Sequence, residues 1–325
     1  MKSVYISKFG GPSSLEIRDV PNPPAPEHEQ LLISVRAAAL NRADLLQRKG
    51  LYPAPKGYPE RIPGLEFAGE VVSTGPECEK FKIGDRVMGI TAGGAQAEQI
   101  LVDEEHCIPI PDRLDYNAAA AVPEAFVTAH DAVWTQGELG SHETLLIHAV
   151  GSGVGLAALQ IAKASGNKVV GTSRTQSKLD RCLKAGLDIA INTSGGQFAD
   201  EVVAQGGADV VLDLVGAGFL NENLKSLNNL GRLIVVGLVG GRKAEFDLGM
   251  ALTKRIKIIG TLLRSRTVEE KASAVRAFEK DVLPLIAEGT IEPFVDRIYP
   301  IGQVAAAHSY LESNASFGKV VLEVG

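Results

Sequence analysis

Hydrophobic and polar positions follow two different patterns along this chain. Up to about residue 120, short alternating or β-branched runs such as "EQLLISVRAAAL", "FAGEVVSTG" and "AEQILV" are separated by turn sequences such as "GGPSS" and "TAGGA". Short strands at such intervals predict a largely antiparallel, β-rich domain.

From about residue 120 onward, apolar runs alternate with amphipathic segments. Helices are predicted in "GLAALQIAKASG", "SKLDRCLKAG", "FADEVVAQGG" and "FLNENLKSLN". Strands are predicted in "ETLLIHAV", "KVVGTS", "DIAIN", "ADVVLDLVG", "GRLIVVGLV" and "RIKIIGTLL". Strands buried on both faces and joined by amphipathic helices are typical of a doubly wound parallel sheet, the Rossmann arrangement.

The remaining segment returns to the first pattern. "VEEKASAVRAFEKDVLPLIAEG" predicts one long helix, and the residues after it predict strands around a further helix. We interpret this tail as rejoining the first domain. The predicted α/β fold is therefore a β-rich domain of residues 1–120 and 265–325, interrupted by a Rossmann domain of residues 121–264.

Composition and charge narrow the classes of function. A chain of 325 residues is long enough for two domains, and its net charge of −6 argues against a nucleic-acid or membrane-surface partner. No apolar run reaches the length of a membrane span. The three cysteines, Cys78, Cys107 and Cys182, are widely spaced, which favours free thiols and a cytoplasmic location over a disulfide framework.

A glycine-rich turn follows the first predicted Rossmann strand, in "HAVGSGVGLAALQIA". Gly153, Gly155 and Ala158 fit the G-x-G-x-x-G/A fingerprint, in which the turn and the following helix N-terminus bind a dinucleotide pyrophosphate. Ser152 and Val154 complete the predicted cofactor turn. The alternative is an ordinary glycine turn of a βαβ unit, which needs no ligand.

The second Rossmann strand ends without the acid that usually accepts hydrogen bonds from an NAD ribose. "GTSR" places Ser173 and Arg174 at that end, and Lys178 follows one helical turn later. Hydroxyl, guanidinium and ammonium groups suit a 2′-phosphate, so the stretch predicts NADPH as the cofactor. The alternative is that Arg174 and Lys178 are solvated surface charges.

Several segments together resemble a known family. "AAALNRADLLQRKGLYP", "PGLEFAGEVVSTG", "KIGDRVMG", "GGAQAEQILV" and the glycine turn resemble the zinc-free quinone oxidoreductases, the zeta-crystallin-like branch of the medium-chain dehydrogenase/reductase superfamily. The resemblance implies a GroES-like β-rich catalytic domain beside the Rossmann domain, a nicotinamide directed into the cleft between them, and a homodimer formed through the sheet edge near "RLIVVGLV".

The positions of the catalytic zinc ligands differ from those of zinc-dependent relatives. On the resemblance, this chain carries Asn41, Leu65 and Glu124 where those relatives carry Cys and His ligands, and it lacks their four-cysteine lobe. We therefore expect no metal. Quinones and enones suit such a site because their reduction yields a phenolate- or enolate-like anion, which needs less stabilisation than an alkoxide.

The resemblance also carries over candidate site residues. It assigns Asn41, Asp44 and Tyr52 to the catalytic group, with Tyr52 as a neutral hydrogen-bond donor. Asn41 is also expected among the cofactor-binding residues, bonded either to the substrate oxygen or to the nicotinamide carboxamide. Turn or wall roles are the alternative for Asn41 and Tyr52, and an ion pair with Arg48 is the alternative for Asp44. The remaining residues expected near the cofactor are Thr128, Thr193 (where many relatives carry Tyr), Val215, Gly216, Gly237, Leu238, Val239, Leu262, Leu263, Arg264, Gly318 and Lys319.

Three hypotheses of function follow. The first is an NADPH-dependent quinone reductase that works without zinc. The second is an NADPH-dependent reductase of the double bond in alkenals or enones. The third is a non-catalytic, NADPH-binding structural or redox-sensing protein.

Overall fold

The structure, a computed structural model, describes residues 1–325. The chain forms two compact units. Unit 1 comprises Met1–Val127 and Leu263–Gly325, and unit 2 comprises Thr128–Leu262. The sequence prediction placed the corresponding boundaries after residues 120 and 264.

The regular elements alternate as follows. The strands are β1 (Lys2–Ile6), β2 (Leu15–Asp19), β3 (Gln30–Ala39), β4 (Glu66–Thr74), β5 (Arg86–Ile90), β6 (Gln99–Asp103), β7 (Cys107–Pro109), β8 (Thr144–Ile147), β9 (Lys168–Ser173), β10 (Ile189–Asn192), β11 (Ala208–Asp213), β12 (Leu227–Val235), β13 (Lys257–Gly260), β14 (Val295–Pro300) and β15 (Lys319–Glu323). The helices are α1 (Arg42–Arg48), α2 (Tyr116–Ala120), α3 (Pro123–His130), α4 (Gly153–Ala164), α5 (Gln176–Lys184), α6 (Ala199–Ala204), α7 (Leu220–Ser226), α8 (Leu248–Lys254), α9 (Val268–Asp281), α10 (Leu283–Glu288) and α11 (Val304–Glu312). A π-helical turn at Asp131–Gln136 continues α3.

Unit 1 is built on a seven-stranded sheet. Its strands follow the order β14-β15-β3-β4-β5-β7, with β6 also paired to β3, while β1 and β2 form a separate antiparallel pair. All pairings in the larger sheet are antiparallel except that of β14 with β15. The predicted β-rich domain is confirmed, and the tail rejoins it through the pairing of β15 with β3.

The alternating pattern of β3 explains how this sheet buries its core. Leu31, Ile33 and Val35 lie on one face of the strand and pack with Phe67 and Val71 from β4. A period of two places these side chains on the same side. The strand ends at Ala39, two residues before Asn41, so its burial fixes the start of the candidate active site.

Unit 2 is a Rossmann domain. Its six strands are all parallel, in the order β10-β9-β8-β11-β12-β13. Leu146, Val170, Val211 and Leu233, from four neighbouring strands, are buried in one core with Phe198. Because all the strands run in the same direction, the loops that follow β8, β9, β11 and β12 lie together at the carboxyl ends of the strands, where α/β proteins bind their ligands.

Three local predictions were wrong. The single long helix is two helices, α9 and α10, because the chain departs from helical geometry at Val282 and Pro284 cannot donate a backbone hydrogen bond. The helix α8 was not predicted. The predicted helix "FLNENLKSLN" ends at Ser226, and its last two residues begin β12 instead.

No helix combines the length and apolar character needed to cross a bilayer.

Candidate cofactor and active site

The glycine turn lies between β8 and α4, as the sequence predicts. Ser152 is the N-cap of α4, and its Oγ accepts a hydrogen bond of 3.1 Å from the Gly155 amide. The amides of Gly153 and Val154 donate to no protein group. Free amides at the positive end of a 12-residue helix are suited to phosphate oxygens. The turn therefore fits a dinucleotide pyrophosphate.

Gly155 is required by the packing of this turn. A Cβ on Gly155 would lie 2.7 Å from the carbonyl oxygens of both Ala149 and Val150. The bare backbone lets α4 start directly against the end of β8. The first consequence of this glycine is therefore a close helix–strand contact within the protein.

The end of β9 carries the predicted donors. Ser173 and Lys178 are partly exposed and Arg174 is exposed. Gly171 is buried, and a Cβ there would lie 2.9 Å from side-chain carbons of Leu187 and Val150. The protein core thus uses the space above Gly171.

The neighbouring strand end is tied to β9 through the backbone. Thr193, directly after β10, is buried, and its amide donates to the Ser173 carbonyl over 3.0 Å. The structure assigns its backbone a role in fixing Ser173.

A buried hydrogen-bond chain, which was not predicted from the sequence, connects the carboxyl ends of β8, β9 and β11 through a side chain of α7. His148 contacts Thr172 Oγ1 through Nδ1 (2.8 Å) and Asn223 Oδ1 through Nε2 (2.6 Å), while Asn223 Nδ2 donates to Asp213 Oδ2 (3.1 Å). Since Asn223 directs its amide nitrogen at the carboxylate, its oxygen faces His148, which must carry the proton on Nε2. Burial lowers the pKa of His148 to about 4, so the ring is neutral.

Asp213 extends this chain to the loop after β11. Its Oδ1 accepts hydrogen bonds from the amides of Val215 (2.7 Å) and Gly216 (2.9 Å). Burial raises the pKa of Asp213 to about 6, against the opposing effect of these hydrogen bonds. Gly216 has φ of 88°, a left-handed conformation that favours glycine. The backbone of Val215 and Gly216 is therefore held in a fixed position at the carboxyl end of β11.

The other predicted cofactor residues of unit 2 follow β12, follow β13 or lie in α3. Gly237 follows β12 so closely beside Leu214 that a Cβ would lie 2.6 Å from the Leu214 carbonyl oxygen. Leu238, Val239 and Leu262 are exposed apolar side chains. Thr128, in α3, is partly exposed.

Unit 1 contains a buried polar cluster at the end of β3. The Nζ of Lys319 lies 2.6 Å from Glu66 Oε1 and donates to Asn41 Oδ1 over 2.7 Å and to the Leu40 carbonyl over 3.0 Å. Asn41 Nδ2 donates to Glu66 Oε1 over 2.8 Å. Glu66 is 0% exposed and Lys319 is 5% exposed. Gly318 precedes this lysine with φ of 87°.

Asp44 is held by backbone amides instead of the ion pair with Arg48 that was one of the two expectations. It is fully buried, and its two oxygens accept hydrogen bonds from the amides of Asn41 (2.7 Å) and Gly64 (2.9 Å). Burial raises its pKa to about 6, although these hydrogen bonds act in the opposite direction. The alternative pairing with Arg48 was wrong, because Arg48 Nη2 donates to Glu312 over 2.7 Å.

Arg264 links Tyr52 to the same region of unit 1. Its guanidinium donates to the carbonyls of Ala92 (2.9 Å) and Tyr52 (3.1 Å) and to Gln47 Oε1, and it lies 4.7 Å from the centre of the Tyr52 ring. Leu263 beside it is buried. Burial raises the pKa of the Tyr52 phenol above its usual value, which keeps the hydroxyl protonated as a donor.

Glu124, aligned with the third metal position, lies beside this cluster. Its amide donates to Glu66 Oε2 over 2.8 Å, and its own side chain is partly exposed. Burial, and then the charge of Glu66, raises the pKa of Glu124 to about 8. With Asn41 and the apolar Leu65 at the other two positions, no set of three Cys, His, Asp or Glu ligands is formed. These donors do not fit a zinc ion.

Sequence reasoning missed polar groups of both sites, among them Glu66 in unit 1 and His148 in unit 2. A usable signal existed for Glu66, because an acidic residue that begins an apolar strand requires a buried partner. The partner could not be identified, since Lys319 is brought to it only by the pairing of β15 with β3. His148 gave no local signal.

Comparison with known proteins supports this two-part organisation. The family model described as zinc-binding dehydrogenase matches residues 153–280, and the alcohol dehydrogenase GroES-like domain matches residues 27–112. Quinone oxidoreductase of Rattus norvegicus is 32% identical over 99% of this chain and 97% of its own.

Solved structures extend the similarity to the whole fold. The quinone oxidoreductase of Pseudomonas syringae pv. Tomato DC3000 is 28% identical with a TM-score of 0.89, covering 99% of both chains. An NAD-dependent alcohol dehydrogenase is 30% identical with a TM-score of 0.88, covering 100% of both chains. The family models, these full-length relatives and the observed pairing of a Rossmann domain with a GroES-like β-rich unit agree. The chain belongs to the quinone oxidoreductase, zeta-crystallin-like branch of the medium-chain dehydrogenase/reductase superfamily.

Proposed function

We propose that this oxidoreductase is an NADPH-dependent, zinc-independent quinone reductase. The preference for NADPH is carried by one observation, the acid-free end of β9 with Ser173, Arg174 and Lys178. A bound NADPH supplies a hydride, and the free amides of Gly153 and Val154 hold its pyrophosphate. The loops of Thr193, Val215, Gly216 and Gly237 border the nucleotide, with the other predicted cofactor residues nearby.

The acceptor is proposed from the chemistry of unit 1 and from the named relatives. Where zinc-dependent relatives hold a metal, the cationic group beside Asn41 and Glu66 is the Lys319 ammonium. Hydride addition to a quinone produces a phenolate-like anion, whose conjugate acid has a pKa near that of Tyr, about 10. Hydrogen-bond donors suffice for such an anion, whereas a simple ketone would call for a Lewis acid.

Within this site, Tyr52 is the neutral donor toward the substrate and Asn41 sets the position of the pocket wall. Both heteroatoms of the Asn41 amide are already engaged, with Glu66 and Lys319. Asp44 holds the loop at Gly64 against α1, and this role in positioning replaces direct participation.

Cofactor preference is tested by titrating NADPH and NADH against the wild type and the R174A/K178A double variant. NADPH should bind more tightly than NADH, and the double variant should lose that difference. The matched control is Lys184→Ala, which removes a charge from the other end of α5 and should leave the preference unchanged. Equal affinities of the wild type for both nucleotides would contradict the cofactor proposal.

The acceptor is tested by following NADPH absorbance with ortho- and para-quinones and, side by side, with alkenals and enones. Consumption of NADPH by quinones supports the proposal. Reduction of enones alone would move the activity to double-bond reduction. Tight NADPH binding without oxidation by any electrophile would favour the non-catalytic hypothesis.

We also propose a cytoplasmic homodimer. One of the two edge strands of the Rossmann sheet is β13, next to "RLIVVGLV", and its Ile258 is 44% exposed. Leu248 and Leu252 of α8 are 72% and 79% exposed. An unpaired edge strand and exposed apolar side chains favour pairing with a second copy. Light scattering should give twice the chain mass, and L252D/I258D should reduce it to one.

A further inference from the structure

The turn after β11 and the loop after β12 are joined to each other through their backbones. The Gly240 amide donates to the Val215 carbonyl over 2.7 Å, and the Ala217 amide donates to the Gly241 carbonyl over 3.1 Å. A Cβ on Gly216 would lie 2.9 Å from the Gly241 carbonyl oxygen. Because the two segments are bonded and closely packed, a group that positions one of them also positions the other.

Asp213 attaches this pair of loops to the end of β11. Its Oδ1 accepts the amides of Val215 (2.7 Å) and Gly216 (2.9 Å). Its main-chain carbonyl accepts the amides of Val236 (2.9 Å) and Gly237 (3.2 Å). Asp213 is 1% exposed. One buried residue therefore holds the start of both loops, and the orientation of its side chain decides where the turn lies.

The other carboxylate oxygen of Asp213 is anchored to the neighbouring strand ends. Asn223 Nδ2 donates to it over 3.1 Å, His148 Nε2 lies 2.6 Å from Asn223 Oδ1, and His148 Nδ1 lies 2.8 Å from Thr172 Oγ1. His148, Thr172 and Asn223 are each 0% exposed, and none of their polar side-chain atoms lacks a partner. Two phenylalanine rings, each centred 4.9 Å from the His148 ring, complete the enclosure. In such an enclosed chain, every bond that is lost leaves a buried polar group unsatisfied.

The two ends of this chain decide its direction. The Asp213 carboxylate can only accept hydrogen bonds, whereas the Thr172 hydroxyl can either donate or accept. The carboxylate therefore orients the Asn223 amide, which in turn places the proton of the neutral His148 ring on Nε2, so that Thr172 donates to Nδ1. If the group at position 213 were a donor, every bond of the chain could reverse without the loss of any.

We propose that Asp213, Asn223 and His148 are positioning residues for the cofactor. Their hydrogen bonds hold the turn of Val215 and Gly216 at a fixed separation from the glycine turn and the end of β9, so that both halves of one dinucleotide are bound at once. The bonds, and not the charge of Asp213, supply this effect. The inference rests on the proposed nucleotide-binding function, and it adds three residues that act through the loops.

This role separates the binding of a whole dinucleotide from the binding of its halves. A linked ligand gains from two contacts only where its linker matches the separation of the two sites. The glycine turn and β9 keep a backbone bond of their own, from the Val150 amide to the Thr172 carbonyl (3.0 Å). A break beside Asp213 should therefore displace the loops after β11 and β12 and leave the adenosine side in place.

The split is measured by titrating NADPH and adenosine 2′,5′-bisphosphate, a fragment without the nicotinamide half, against the wild type and N223L. Leucine has nearly the shape of asparagine but forms no hydrogen bond. N223L should bind NADPH at least about tenfold more weakly, and the fragment within about threefold of the wild type. Equal losses for NADPH and the fragment, or no loss for either, overturn the proposal.

The matched control is N228L, which breaks a similar bond at the opposite ends of the strands. Asn228 Nδ2 donates to Asp209 Oδ1 over 3.0 Å at the amino ends of β12 and β11. N228L should bind both probes like the wild type. N223S, whose hydroxyl is too short to reach both neighbours, should show the same split as N223L and takes its place if the leucine variant does not fold. Melting temperatures verify the folding of each variant.

D213N tests whether bonds or charge position the loops. It keeps an acceptor for the two amides and offers a donor to Asn223, so the chain should reverse and the affinity for NADPH should fall by no more than about threefold. ¹⁵N NMR of histidine-labelled protein, with H148Q to identify the signal, should show the proton of His148 on Nε2 in the wild type and on Nδ1 in D213N. A loss in D213N as large as that in N223L, or the same tautomer in both proteins, overturns the proposal.

The inference and the proposed function fail in different ways. If the wild type oxidises NADPH with quinones and N223L binds NADPH equally well, the function stands and the positioning role is wrong. If no electrophile is reduced but N223L loses NADPH and keeps the fragment, the reductase function fails and the positioning role stands. If the wild type binds neither NADPH nor the fragment, both are wrong.

Discussion

Removal of the Lys319 ammonium should destabilise the protein by leaving Glu66 charged and enclosed. The two groups are 2.6 Å apart, and Glu66 is 0% exposed. At an effective dielectric constant of about 20, the attraction between two unit charges at this distance is about 6 kcal/mol. Desolvation cancels part of it, but loss of one partner from a buried pair typically costs about 3–5 kcal/mol. We therefore expect Lys319→Met to lower the free energy of unfolding by that amount.

Urea unfolding at neutral pH, followed by circular dichroism, measures this change. The double variant E66Q/K319M removes both charges, so it should recover a large part of the loss, and the cycle with E66Q isolates the coupling between the residues. Lys8→Met, at an exposed position of the same unit, is the control and should change stability by less than about 0.5 kcal/mol. A loss no larger than that in Lys319→Met, or a double variant as unstable as the single one, would refute the reasoning.

Three further changes test unit 2. The pKa of His148 is about 4 in the folded protein, below its ordinary value of 6.5. The stability that the neutral ring contributes is therefore present above pH 6.5, and about 3 kcal/mol of it is lost as the pH falls toward 4. The free energy of unfolding measured across this range should decline less steeply in His148→Gln than in the wild type. Gly155→Ala places a methyl group against two carbonyl oxygens and should cost about 1–3 kcal/mol and weaken NADPH binding, while Gly195→Ala, in open space, should leave both the melting temperature and the binding unchanged. Arg232 contacts both oxygens of Glu143 (2.9 and 2.6 Å) and two backbone carbonyls, so Arg232→Lys, which keeps the charge but not the fork, should lower the unfolding free energy by about 1.5–3 kcal/mol; an unchanged urea midpoint would contradict this.

The elements that the sequence predicted correctly are those with strong local patterns. "KVVGTS" corresponds to β9 at both ends, because an apolar run bounded by polar residues limits the strand on its own. The glycine turn was located for the same reason. The helix α8 was missed because Leu248 and Leu252 are exposed in this chain and therefore give no amphipathic pattern directed at a core.

The polar sites depend on contacts between distant parts of the sequence. The segment before α1, β4 and β15 each contribute one member of the Asn41, Glu66 and Lys319 cluster, and no local pattern connects them. The family resemblance indicated Asn41 and Lys319, but not that each would engage the other.

The pairing of β15 with β3 affects the order in which the two units can fold while the chain is being synthesised. Lys319 and Asn41 are 278 positions apart, whereas every strand of the Rossmann sheet lies within residues 128–262. Unit 2 can therefore complete its sheet during synthesis. The sheet of unit 1 still lacks β15 at that point, and Glu66 still lacks the ammonium of Lys319. A nascent chain arrested before β15 should expose the unpaired backbone of Ala37–Ala39 at the end of β3 and bind chaperones there, although its Rossmann unit is already resistant to protease.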